Sequence, residues 1–132
     1  MKRIKKNTVA FIGLGIMGKP MVINLLKEGM NVFFYARKKS VINEITKKGG
    51  KFVPVISDLT KHSEIFITNL PNTQDVEEVI IGKNGISNTM RKGSIVIDMS
   101  TISPEVTTKI NNMLEEKSSF LLDCPVSGGQ AG

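Results

Sequence analysis

In 132 residues the chain has one cysteine, one histidine, one tyrosine and no tryptophan. Each scarcity removes a class of protein. A single thiol, Cys124, rules out an internal disulfide framework and fits a reducing compartment, so the expected location is the cytoplasm. One histidine, His62, and one cysteine form no ligand cluster, and no metal site is expected. Aromatics make up 5% of the residues and none interleaves with the basic ones, so a stacking platform for bases is not expected. No apolar run nears the roughly 20 residues of a membrane span.

What is present suits one globular domain: hydrophobic residues at 40% and charged residues at 23% supply both a core and a wetted surface. Of the formal charge of +6, Lys2, Arg3, Lys5 and Lys6 contribute four charges. Residues 1–7 read as a solvated basic arm, favoured over a nucleic-acid arm, and residues 8–132 as the domain. A secretory leader is disfavoured. The apolar stretch after the arm is short, has no A-x-A cleavage site, and runs into a segment carrying Lys19, Asn24, Lys27 and Glu28.

Strand and helix patterns alternate along the chain. Strands are expected at Thr8–Ile12, Val32–Tyr35, Lys51–Val53, Glu64–Thr68, Ser94–Asp98 and Phe120–Asp123. Between them lie helical patterns. The first carries Met17, Met21, Val22, Leu25 and Leu26 at helical spacing and stops at Gly29. Ser57 or Asp58 reads as the cap of a small helix, and Ser103 as the cap of the last one, with Pro104 in its first position. Alternation of this kind predicts a doubly wound parallel sheet, an α/β Rossmann fold in three αβα layers. Six strands are expected in the order 3-2-1-4-5-6, with both faces covered.

The first strand breaks into Gly13-Leu14-Gly15-Ile16-Met17-Gly18, the G-x-G-x-x-G spacing of a dinucleotide-binding turn. Gly13 lets the backbone leave the strand sharply, Gly15 lets a pyrophosphate approach the main chain, and Gly18 lets helix and strand pack closely. The helix that follows would present free N–H groups and its positive end to the phosphates. An acid selecting the ribose 2′-hydroxyl of NAD should stand near residue 36, where the sequence has Ala36. Arg37, Lys38 and Ser40 follow and can receive a 2′-phosphate, so NADP is the expected cofactor, with NAD possible.

Four segments, in order, carry a family resemblance. They are Phe11–Met21, Asn69-Leu70-Pro71, Asp98–Pro104 and Asp123–Gly129. Together they resemble the N-terminal cofactor domain of the 3-hydroxyisobutyrate dehydrogenase-related (β-hydroxyacid dehydrogenase) family. The resemblance implies an oxidoreductase acting on small β-hydroxyacids or the matching semialdehydes, such as 3-hydroxyisobutyrate, tartronate semialdehyde, glyoxylate or succinic semialdehyde. The relative 6-phosphogluconate dehydrogenase is disfavoured by the first turn. The resemblance also implies that Leu70, Pro71 and Thr101 line the cofactor beside Asn69. It implies that Ser127, Gly128 and Gly129 hold the substrate carboxylate, a role that a hydroxyl beside adjacent glycine amides suits chemically.

In that family the catalytic lysine lies beyond the position of Gly132, on a helix followed by a helical domain, and the intact members associate as homo-oligomers. No lysine of this chain sits in the matching motif. The expectation is therefore a fragment that binds cofactor without turnover. The competing reading is a non-catalytic nucleotide-binding or protein-interaction module. Cys124 is expected as a small buried hydrophobe and His62 as a surface residue.

Overall fold

The computed structural model describes residues 4–126. Six parallel strands form one sheet: β1 (Thr8–Ile12), β2 (Asn31–Tyr35), β3 (Lys51–Phe52), β4 (Ile65–Thr68), β5 (Ile95–Asp98) and β6 (Phe120–Asp123). Their order is β3-β2-β1-β4-β5-β6, as the sequence predicts. The reversal falls between β1 and β4, which pair through Ala10–Phe66, Phe11–Ile67 and Ile12–Thr68. The helices are α1 (Gly18–Lys27), α2 (Lys39–Lys47), α3 (Thr73–Ile81) and α4 (Pro104–Glu116). Two short 3-10 helices, Ile56–Lys61 and Ile86–Asn88, complete the connections.

β1 is buried along its whole length because it lies between β2 and β4 with apolar side chains on both faces. Its alternate residues serve different cores. Val9 and Phe11 join Val32, Phe34 and Ile45 under α1 and α2. Ala10 and Ile12 join Phe66, Val96, Val76, Ile80, Ile110 and Leu114 under α3 and α4. Burying such side chains contributes about 2 kcal/mol each, so these two layers hold the sheet between its helices.

The expectation that both faces are covered holds over β1 and β2 and fails toward β6. On the α1 side, β4, β5 and β6 align Ile65–Ile95–Phe120 and Ile67–Ile97–Leu122. Ile65 is 38% exposed, Phe120 54% and Leu122 49%. Among the described residues no helix lies over this corner, since the crossovers after β4 and β5 both pack on the other face. Cys124 follows β6 at the sheet edge and is exposed, so it is not the small buried hydrophobe expected. His62 is half-buried: its ring stacks on Phe33 at 4.3 Å and 8°, a contact between distant parts of the chain rather than a plain surface position.

Two caps also differ. The Ile56–Lys61 helix starts one residue before Ser57, with Val55 at the cap position and no side-chain cap bond. Ser103 occupies the cap position of α4 without a cap bond from its side chain. Its backbone N–H instead donates to Thr73 Oγ1 at 3.1 Å, tying α4 to the start of α3. Pro104 takes the first position of α4, as expected.

Candidate functional site at the sheet reversal

The strand order reverses between β1 and β4, and the loops leaving β1, β2, β4 and β5 meet at the carboxyl edge there. Sheets of this type bind ligands at that edge. The turn after β1 shows why its three glycines differ. Gly13 has φ +103°, and a Cβ there would overlap the carbonyl oxygen of Asn69 and touch Leu70. A Cβ on Gly18 would overlap the carbonyl of Gly13 and press on Phe11. A Cβ on Gly15 would meet nothing within 4 Å. Gly13 and Gly18 are thus required by packing inside the protein. Gly15 faces open space, where packing gives no reason for a glycine.

Around that space the main chain is open. Met17 is the cap of α1, no side chain caps it, and no acid stands in its first turn. Among the described residues, the amides of Gly15, Ile16 and Met17 donate to no protein acceptor. Leu14 is buried and anchors the turn, while Ile16 stands 67% exposed above it. Lys19, on the first turn of α1, pairs with Glu44 of α2 at 2.9 Å and fixes the two helices together. That hydrogen bond from Lys19 holds the Glu44 carboxyl below the usual carboxylate range.

One strand over, Ala36 and Arg37 leave β2 and α2 begins at Lys39. Arg37, Lys38 and Ser40 are all exposed, Lys38 is at the cap position without a cap bond, and no acid occupies the first turn. On the other side of β1, Asn69, Leu70 and Pro71 follow β4. The side-chain nitrogen of Asn69 is buried with no hydrogen-bond partner among the described residues. Thr101 is exposed after β5. The sequence-predicted residues Gly13 to Gly18, Arg37 to Ser40, Asn69 to Pro71 and Thr101 therefore converge on one edge. Ser127, Gly128 and Gly129 lie outside the described residues. They follow Val126, whose N–H donates to the Met99 carbonyl at 3.2 Å beside the β5 loop.

The sequence reading missed a polar group beneath these loops. Asp98, 1% exposed, accepts from Thr68 Oγ1 at 2.9 Å and from the Ser100 amide at 3.1 Å. Ser100, 3% exposed, in turn accepts the Leu70 N–H at 2.8 Å. The available signal was an acid closing an apolar strand, which a parallel sheet buries only with hydrogen-bond partners. A separate groove of 570 Å³ between α3 and α4, lined in part by Glu77, Glu78 and Lys109, contains none of the motif residues. Among the described residues no three acidic, histidine or cysteine side chains are placed to hold a metal, and no helix is long and apolar enough to cross a membrane.

A glycine turn between buried strand and helix, open amides and a sheet reversal define a dinucleotide-binding Rossmann domain. The chain belongs to the family described as the NAD binding domain of 6-phosphogluconate dehydrogenase, which matches residues 8–132. It is 42% identical to an uncharacterized oxidoreductase of Bacillus subtilis over 127 residues, 96% of this chain and 44% of that protein. It is 38% identical to the mitochondrial 3-hydroxyisobutyrate dehydrogenase of Rattus norvegicus, over 94% of this chain and 37% of that protein. The fold matches a solved structure of Psf3 in complex with NADP+ and 2-OPP. The TM-score there is 0.87 at 29% identity, covering 94% of this chain and 44% of that one. The hydroxyacid dehydrogenase resemblance is thus borne out, and the chain spans about two fifths of the length of the curated relatives it matches.

Proposed function

We propose that residues 8–132 form the cofactor domain of an NADP-preferring dehydrogenase or reductase of small β-hydroxyacids and their semialdehydes. One observation carries the reading: at Gly15 the turn opens onto free space beside three unbonded amides, while Gly13 and Gly18 are filled by the protein itself. These residues fit a pyrophosphate. The turn Gly13 to Gly18, including Leu14, Ile16 and Met17, would hold it by main-chain N–H groups at a helix start. Arg37, Lys38 and Ser40 would take the 2′-phosphate, with a planar fork from Arg37. Asn69, Leu70, Pro71 and Thr101 would line the rest of the dinucleotide. Ser127, Gly128 and Gly129 would hold the substrate carboxylate.

The cofactor, when bound, supplies the hydride chemistry. The residues of this chain bind and orient it, and none of its lysines stands in the family's catalytic motif. The 132-residue chain is therefore expected to bind NADP without turnover. Residues 1–3 of the expected basic arm lie outside the described residues, and the cytoplasm is the expected location. The test has two parts. NADPH should raise the midpoint of thermal unfolding of the chain, and mixing with a panel of hydroxyacids and semialdehydes should give no hydride transfer. Absence of any NADPH or NADH effect overturns the binding reading. Turnover at about 1 s⁻¹ or faster overturns the expectation that these residues supply no catalytic acid.

A further inference from the structure

We propose that Asp98 and Ser100 are positioning residues for the cofactor, because they set the height of the Asn69–Pro71 loop above the glycine turn. The proposal rests on the cofactor reading just given. Its starting point is a run of contacts crossing the sheet reversal. The first turn of α1 closes on Gly13, where Gly18 leaves no room for a side chain. Gly13 in turn closes on the Asn69 carbonyl and on Leu70. The next main-chain group, the Leu70 N–H, is not bonded to the sheet. Its acceptor is the Ser100 hydroxyl, 30 residues away on the neighbouring loop. The Ser100 amide is held by Asp98 Oδ1, which also takes the Thr68 hydroxyl.

Asp98 thus joins the ends of β4 and β5 with one oxygen. Its other oxygen, Oδ2, is buried and has no hydrogen-bond partner among the described residues. A buried carboxyl group satisfied on one side only is an expensive way to join two strands. Core stability alone would be better served by an apolar residue at a buried strand end. The arrangement is explained if the joined loops must hold a fixed height over the turn. A shift of the Asn69–Pro71 loop moves Gly13, and with it the open amides at Gly15. Ladder bonds running past the strand ends, Asn69 N–H to the Ile12 carbonyl and Met99 N–H to the Thr68 carbonyl, keep these loops in step with the sheet. They leave the height of Leu70 to Ser100.

The test separates positioning from folding by ligand half and by rescue. The proposed 2′-phosphate contacts lie on the β2 side, away from the Asn69–Pro71 loop. NADPH and adenosine 2′-monophosphate, which has no 5′-phosphate to reach the glycine turn, are titrated into the wild-type chain and into Ser100→Ala, Asp98→Ala and Asp98→Asn, well below each midpoint of unfolding. Ser100→Ala and Asp98→Ala should weaken NADPH about tenfold while adenosine 2′-monophosphate changes less than about twofold. The Asp98→Asn variant keeps an amide oxygen for both donors, so it should restore NADPH to within about threefold of wild type. Equal losses for both ligands, unchanged NADPH affinity in Ser100→Ala, or an Asp98→Asn variant as weak as Asp98→Ala each overturn the proposal. Should Asp98→Ala not fold, Ser100→Ala and Asp98→Asn decide alone. If wild type binds neither ligand, the underlying cofactor reading fails instead.

Discussion

Two substitutions in the same motif should fail in opposite ways. Gly13→Ala places a Cβ into the Asn69 carbonyl and forces φ +103° on a residue with a side chain. The backbone strain alone costs about 1–2 kcal/mol. The overlap is with main chain held by the Asn69 N–H to Ile12 bond, so it cannot be relieved by a rotamer change. Together these put the loss at about 3 kcal/mol or more, which for a domain of this size corresponds to a fall of about 10 °C in the midpoint of unfolding. Gly15→Val adds a side chain where nothing lies within 4 Å. Its stability should stay within about 0.5 kcal/mol of wild type. Its NADPH affinity should fall at least about tenfold, since the branched side chain occupies the approach to the amides. Thermal unfolding and NADPH titration on both variants read the two effects separately. A Gly15→Val protein destabilised as much as Gly13→Ala, or one that binds NADPH like wild type, would refute the division of roles within the turn.

Two further outcomes follow from packing and charge. Leu114, fully buried between α4 and the sheet, should cost about 3 kcal/mol when replaced by alanine, seen as a lower midpoint in chemical denaturation with an unchanged slope. Glu44 is held below its unfolded value by the Lys19 hydrogen bond, so its contribution is present above the ordinary carboxylate range and is lost as pH falls through that range. Glu44→Gln should therefore reduce the drop in unfolding midpoint between about pH 6 and pH 3, and an unaltered acid limb would contradict the pair.

The fold was legible because its signals are local or periodic. The apolar runs of β1, β4 and β5 and the helical spacing in α1 and α3 are short-range facts, and the glycine turn marks their junction. Strand order then follows from chirality rules that apply to any βαβ chain. The misreadings share another cause: each depends on a partner far along the chain. Ser103 takes the cap position of α4 as expected, but its side chain makes no cap bond, and its N–H reaches Thr73 across the fold. His62 looks like a surface residue until Phe33 stacks on it. Cys124 reads as a small buried hydrophobe because no histidine or basic partner adjoins it, but β6 is the outermost strand, and its position in the sheet decides. Within the candidate site the turn and the Asn69–Pro71 loop were readable as motifs. The Thr68–Asp98–Ser100 brace was not, since nothing in the spacing of three polar residues reveals that one carboxylate oxygen joins two strand ends.

The central claim is that this edge binds a dinucleotide and reads its 2′-phosphate through Arg37. The most direct measurement is calorimetric titration of NADPH and NADH into the wild-type chain and into Arg37→Ala. Arg37 is exposed, so its fork to a phosphate is worth about 1.5 kcal/mol, at the low end for a charged hydrogen bond. The account predicts tighter binding of NADPH than of NADH by wild type, a loss of about tenfold for NADPH in the variant, and an NADH affinity that barely moves. Equal wild-type affinities, or an equal loss for both cofactors, would contradict it.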